Sequence, residues 1–236
     1  MMKIKHVIAA AALGTATMAP TVASADLSGN AGVMSEYLFR GLTQSTGASV
    51  YGGLDYSADS GFYVGTWAAT INFGTGAGGA GTEVDVYAGY AGETDAFSYD
   101  VGAIYYWYSE EDEVDNPDPS YNTPEIYGSL GFGPLSLSAY YAPDTYFGVD
   151  DSAYGVYGSG SFPLTSVLAL DAAIGYNGGK GNEGFTPDSD PYIEYNLGVS
   201  AGLDNGFGFS FGLVMTDIDD DDPKMVVDAS YSFDLM

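Results

Sequence analysis

The stretch that decides the fold runs from Thr82 to Ser109: TEVDVYAGYAG, a turn around Glu93–Ala96, then FSYDVGAIYYWYS. In its first arm Val84, Val86, Ala88 and Tyr90 alternate with Glu83, Asp85, Tyr87 and Gly89. A period of two sends the two sets to opposite faces of a sheet. The second arm repeats the pattern, with Phe97, Tyr99, Val101, Ala103, Tyr105 and Trp107 against Asp100, Gly102, Ile104, Tyr106 and Tyr108. One face is apolar and the other carries acids. Each arm is long enough to supply the roughly 9 to 11 residues that a tilted strand needs to cross a hydrocarbon layer.

Working outward from this hairpin, about twelve alternating segments recur along the chain: 27–41, 48–58, 62–73, 82–91, 96–109, 121–131, 135–142, 152–162, 167–177, 192–202, 207–216 and 225–235. Their connections alternate in length. Tight turns rich in Gly, Asp, Asn and Pro fall at 59–61, 93–95, 132–134, 163–166 and 203–206. Longer links lie between them at 74–81, 110–120, 143–151, 178–191 and 217–224. A soluble sandwich has no reason to segregate its loops in this way. An even strand count with short turns at one end and long loops at the other predicts an all-β fold, a transmembrane antiparallel up-and-down β-barrel of about 12 strands.

Residues 1–25 are different. Lys3 and Lys5, an apolar run from Val7 to Leu13, and Ala23-Ser24-Ala25 before Asp26 have the order of a secretory signal peptide. Residues 26–236 are then the barrel domain of a Gram-negative outer-membrane protein. Removing the signal leaves Arg40, Lys180 and Lys224 against 32 acids. That balance excludes electrostatic binding of nucleic acid. The absence of cysteine excludes disulfides and thiolate metal sites.

Turning the apolar rows to lipid places Glu36, Asp55, Glu83, Asp85, Asp100, Glu125, Asp171, Glu194, Asp228 and Asp234 inside, with Arg40 as the one inward base. The parities of 62–73 and 152–162 stay open, since both are apolar on both faces. Ten acids and one base cannot make a dry, paired core, because an unpaired buried carboxylate costs several kcal/mol. A narrow, hydrated lumen is expected, between the filled interiors of about eight strands and the open channels of about sixteen. Its expected lining is Glu36, Arg40, Glu83, Asp85, Glu125, Asp171, Glu194 and Asp228, with Glu36 and Asp171 nearest mid-height.

Other chemistry is poorly supplied. Asp217, Asp219 and Asp221 have the alternate spacing of a calcium loop, but Asp222 stands where the sharp turn needs glycine and no glutamate closes it. The only histidine, His6, lies in the signal segment, so a serine–histidine hydrolase is excluded. No catalytic residue, metal ligand or cofactor site is expected. Tyr106 and Tyr108 point inward, while Tyr105 and Trp107 suit an interfacial aromatic girdle. Expected partners are outer-membrane lipid, lipopolysaccharide and small hydrophilic solutes. The expected activity is passive diffusion through a cation-preferring, porin-like channel; the alternative is a non-conducting structural or adhesion barrel.

The words GNAGVMSEYLFRGLTQS (29–45), GGLDYSADSGFYVGTWAATINF (52–73), EVDVYAGYAG (83–92) and SYDVGAIYYWYS (98–109) resemble the TorF-type porin family of proteobacteria. The resemblance implies an outer-membrane barrel over the whole mature chain. One departure is the C-terminus, where Tyr231 and Phe233 are followed by Asp234-Leu235-Met236 rather than a terminal aromatic.

Overall fold

The computed structural model describes residues 26–73, 80–109 and 121–235. The expected signal segment, and the loop residues 74–79 and 110–120, lie outside them. Among the described residues the chain forms β1 (Asp26–Met34), β2 (Tyr37–Phe39), β3 (Leu42–Ser45), β4 (Ser49–Ser57), β5 (Phe62–Asn72), β6 (Ala80–Glu93) and β7 (Ser98–Tyr108). It continues through β8 (Thr123–Phe132), β9 (Leu135–Ala142), β10 (Ala153–Pro163), β11 (Leu168–Gly178), a one-turn helix α1 (Lys180–Glu183), β12 (Tyr192–Gly202), β13 (Phe207–Thr216) and β14 (Lys224–Asp234).

Twelve of these strands pair antiparallel with their neighbours in one ring. The first strand pairs with the last, Ala31 opposite Tyr231, and β5 pairs with β6, so the cylinder is closed and leaves no free edge. The tight turns at 58–61, 94–97, 133–134, 164–167 and 203–206 gather at one end, which also holds the start of β1 and the finish of β14. Glycine serves the turns where the chain must double back: Gly61 and Gly206 have φ of +94° and +89°, and each amide bonds back three residues, to the carbonyls of Ala58 and Leu203. The longer connections gather at the other end.

Alternation sorts the side chains as the sequence reading requires. Val86, Val101, Tyr105, Trp107, Ile126 and Met225 are exposed on the outer face. Their in-strand neighbours Asp85, Tyr106 and Glu125 are buried. The two open parities are fixed by the register: Tyr63, Ala69 and Ile71 of β5, and Ala153 and Tyr157 of β10, are buried, whereas Phe62, Val64, Tyr154 and Val156 are exposed.

The first segment departs from expectation. The barrel strand predicted over 27–41 ends at Met34, and residues 37–45 form a small hairpin, β2 with β3, at the long-loop end. Arg40 and Gly41 form its two-residue turn, both with positive φ (+52° and +78°), between the paired Phe39 and Leu42. The hairpin folds inward. Tyr37 and Leu38 are buried in a cluster with Met34, Tyr51 and Tyr106 from the barrel wall, and Ser45 meets Asn72 of β5 in a single parallel pairing.

Candidate functional site: the acidic interior and its hairpin

The interior is built from acids and tyrosines on neighbouring strands. Glu83 on β6 accepts hydrogen bonds from Tyr37 of the hairpin, at 2.6 Å, and from Tyr108 of β7. Tyr51 donates to Asp228 at 2.9 Å, Tyr87 to Asp55 at 2.5 Å and Tyr63 to Asp100 at 2.7 Å. Glu194 accepts from the Asn196 amide at 2.7 Å and lies 3.2 Å from the Tyr157 hydroxyl. A phenol serves this purpose because it donates to a carboxylate without adding a charge, while its ring fills apolar space. The expectation of a wet lumen meets a packed one at the long-loop half, where Glu83, Glu194 and Asp228 are buried and accept from tyrosine or asparagine side chains; Asp55 and Asp100, nearer the short turns, are half-buried.

Inward tyrosines need room, and glycine on the adjacent strand supplies it. Tyr157 lies across from Gly175, where a Cβ would come within 2.0 Å of the ring.

Arg40 is the hub. Its Nη2 donates to both oxygens of Glu125 at 2.8 Å, and its Nη1 donates to the Tyr146 hydroxyl at 3.0 Å. The guanidinium carbon stands 3.2 Å from the centre of the Tyr140 ring and 4.4 Å from that of Phe39. Tyr192 donates to the Arg40 carbonyl at 3.0 Å, securing the turn itself. Burial is the largest single influence and works against the charged guanidinium, but Glu125 together with Tyr140, Tyr146 and Tyr106 more than offsets it, so the arginine pKa is held above its usual value. Tyr146 and Phe147 come from the 143–152 loop, which also turns inward: Phe147 packs edge-on against Phe39, Tyr106 and Tyr108. Burial raises the pKa of Tyr146, which keeps its hydroxyl protonated.

The expected lining residues fall into three groups. Glu83, Asp85, Glu125, Glu194 and Asp228 lie on barrel strands, buried, toward the long-loop end. Arg40 and Glu36 are not on the barrel wall: Arg40 is at the hairpin tip, and Glu36, just before β2, is half-buried and accepts from Thr43 at 3.1 Å. Asp171 is half-buried on β11, near the short-turn end rather than at mid-height. In the acidic loop, Asp217 accepts from the Ile193 amide at 2.6 Å, and Asp221 is engaged by Thr216 and Lys224. Two of the three carboxylates at calcium-loop spacing thus have protein partners. Sequence reasoning missed the tyrosine partners and the hairpin. The signal for the first was the count of 21 tyrosines.

Residues 18–233 match the pattern of a bacterial family described as a protein of unknown function, Gcw_chp. The chain belongs to this family. No curated protein matches it in sequence. Among solved structures it is similar to a KdgM porin, at 15% identity with a TM-score of 0.58, covering 87% of this chain and 99% of that one. A second structure, of KdgM porin in complex with disordered oligogalacturonate, has 12% identity, a TM-score of 0.56 and coverage of 88% and 99%. The COG4313 outer membrane channel from Pseudomonas putida F1 has 10% identity, a TM-score of 0.52 and coverage of 94% and 99%. At these identities the likeness concerns the fold: this Gcw_chp chain is a closed, twelve-stranded antiparallel barrel of the porin kind.

Proposed function

We propose that this protein is an outer-membrane channel of the porin type, through which small hydrophilic solutes diffuse with a preference for cations. The observation that carries the reading is a closed barrel whose outer face is apolar and whose inner face holds a surplus of carboxylates over a single base. Carboxylates lining a pore favour cations. The resemblance to TorF-type porins points the same way. An anionic oligosaccharide such as the one bound in the KdgM complex is a poor match for this interior, so the solute class here is neutral or cationic. No step of the reading calls for catalysis, a cofactor or a bound nucleic acid; lipid and lipopolysaccharide surround the barrel, with the long loops outside.

A second reading rests on one observation. The hairpin and the 143–152 loop pack into the long-loop half of the interior, which favours a non-conducting structural or adhesion barrel. Single-channel recording in planar bilayers separates the two. A channel gives reversal potentials with cation preference at low salt, declining toward neutrality as the screening length falls from about 10 Å at 0.1 M to about 3 Å at 1 M. Folded protein that conducts nothing supports the structural barrel, and anion preference defeats the charge argument.

A further inference from the structure

The inward hairpin is an insertion that the barrel wall does without. Met34 and Ser49, which flank it, are direct partners in the β1–β4 ladder, so residues 35–48 leave the wall and rejoin it at one point. Both stalks are tied there. The Ser35 amide donates to the Val227 carbonyl of β14 at 2.8 Å, and its hydroxyl accepts from the Val227 amide at 2.9 Å. On the other stalk Ser45 pairs with Asn72 of β5, and the Thr46 amide donates to the Asn72 carbonyl at 2.9 Å. Between these ties the hairpin meets its surroundings through side chains: Tyr37 on Glu83, Arg40 on Glu125 and Tyr146, and the Tyr192 hydroxyl on the Arg40 carbonyl. Its body can therefore swing on the two stalks while every ladder of the cylinder stays paired.

The 143–152 loop that it meets is fastened by its backbone instead. The Phe147 amide donates to Thr123 Oγ1 of β8 at 2.8 Å, and the Gly181 amide of α1 donates to the Ser152 carbonyl at 2.9 Å. One inward element is fixed and the other is hung. The seat of the hung one is also of a kind that can be left. Arg40 holds a φ of +52°, which a non-glycine residue rarely adopts, and a buried ion pair sets the attraction it gains against the hydration both partners give up. Nearer the short turns the inner face changes character: Ser129 stands opposite Ser138 and Ser136 opposite Ser159, all half-buried, so small polar side chains take the place of the tyrosines. We infer that the hairpin is a hinged gate, closed when Arg40 is seated on Glu125 against the fixed 143–152 loop and open when the hairpin swings out on its stalks. The inference rests on the channel reading and adds the moving part to it.

The test is single-channel recording of the folded mature protein in planar bilayers, with the hairpin free, pinned or removed. A Cβ at Gly41 would stand 2.5 Å from Cγ2 of Thr216 on β13, so Gly41→Cys with Thr216→Cys places two thiols to bond in a chain that has no cysteine of its own. The wild type should alternate between open and closed levels. The pinned protein, oxidised with copper phenanthroline, should stay closed, and dithiothreitol should restore its openings. Glu125→Gln, which weakens the seat, should raise the ratio of open to closed time at least about 10-fold, since a hydrogen bond to a charged group is lost or weakened. A barrel in which two glycines replace residues 36–47 should conduct without these closures. Openings of the oxidised, pinned protein equal to those of its reduced form overturn the gate and leave the channel standing. So do closures that persist unchanged in the shortened barrel, which decides the matter even where the cysteine pair fails to fold. A wild type that never opens while the shortened barrel conducts makes the hairpin a fixed plug and overturns the gate. Absence of current from every folded form overturns the gate and the channel reading together.

Discussion

Replacing Arg40 with Met tests whether the hairpin is clasped electrostatically or merely packed. Arg40 and Glu125 are 6% and 4% exposed, and two bonds of 2.8 Å join them, so solvent screening does little to discount the pair. Met keeps an apolar chain of similar length but removes the charge and the guanidinium that stands over Phe39 and Tyr140. Glu125 is then left buried without its base, and loss of one partner of such a pair costs about 3 to 5 kcal/mol. Glu125→Gln in the same background removes the stranded charge. The double variant should thus recover about 1.5 to 3 kcal/mol relative to the sum of the single losses. The assay is urea unfolding of the barrel in detergent, followed by the fluorescence of its two tryptophans, of which Trp67 packs edge-on against Tyr37 of the hairpin with ring centres 5.6 Å apart. A loss below about 1 kcal/mol for Arg40→Met, or single losses that simply add, would refute the clasp.

Three further outcomes follow from the geometry. Leu213 sits at an outward position well inside β13, so Arg there should impair membrane assembly by about 2 to 4 kcal/mol, while Arg at outward Leu170, near the short-turn end of β11, should cost less and Asp171→Asn should assemble normally; the heat-modifiable gel shift of the folded barrel reads all three. Single cysteines at Asp220, in the 217–223 loop, should react with an impermeant thiol reagent on intact cells, and those at Asp95 or Asn205, in short turns, should not; equal labelling would invert the orientation. Gly175→Ala should cost about 1 to 3 kcal/mol in urea unfolding because the Tyr157 ring must move, whereas Gly158→Ala, with its nearest atom 4.0 Å away, should be tolerated.

The barrel was legible because its signals are local. Val84, Val86 and Ala88 against Glu83, Asp85 and Tyr87 declare two faces, and glycine with proline or aspartate marks the short turns. The inward hairpin was hidden by the same rule. Tyr37, Leu38 and Phe39 follow β1 with no glycine or proline between them to mark a break, and the two-residue turn is Arg-Gly rather than the Asn-Gly or Asp-Gly that announces a positive-φ pair. Arg40 takes that conformation because Glu125 and Tyr192, on distant strands, and Tyr146, on the 143–152 loop, hold it, and no local pattern encodes distant partners. For β5, Trp67, Ala69 and Ile71 are inward yet as apolar as their outward neighbours, so only the register with β4 and β6 decides the face. The interior acids were balanced against bases alone, and Asp234, expected inside, is exposed at the end of β14. Tyrosine, neutral and abundant, was the missing term, as Tyr37 on Glu83 and Tyr51 on Asp228 illustrate.

The hairpin's position also constrains the order of assembly. It hangs from the end of β1, the strand that zips to β14 to seal the cylinder, while its sockets lie 46, 85 and 152 residues further along, at Glu83, Glu125 and Tyr192. Contacts of such span form only after the intervening chain is arranged, because loop closure has to precede them. The segment made first is thus among the last to find its place. Until β6, β8 and β12 stand side by side, the Arg40 charge has no seat, and the sealing of the cylinder and the seating of the arginine become one late event.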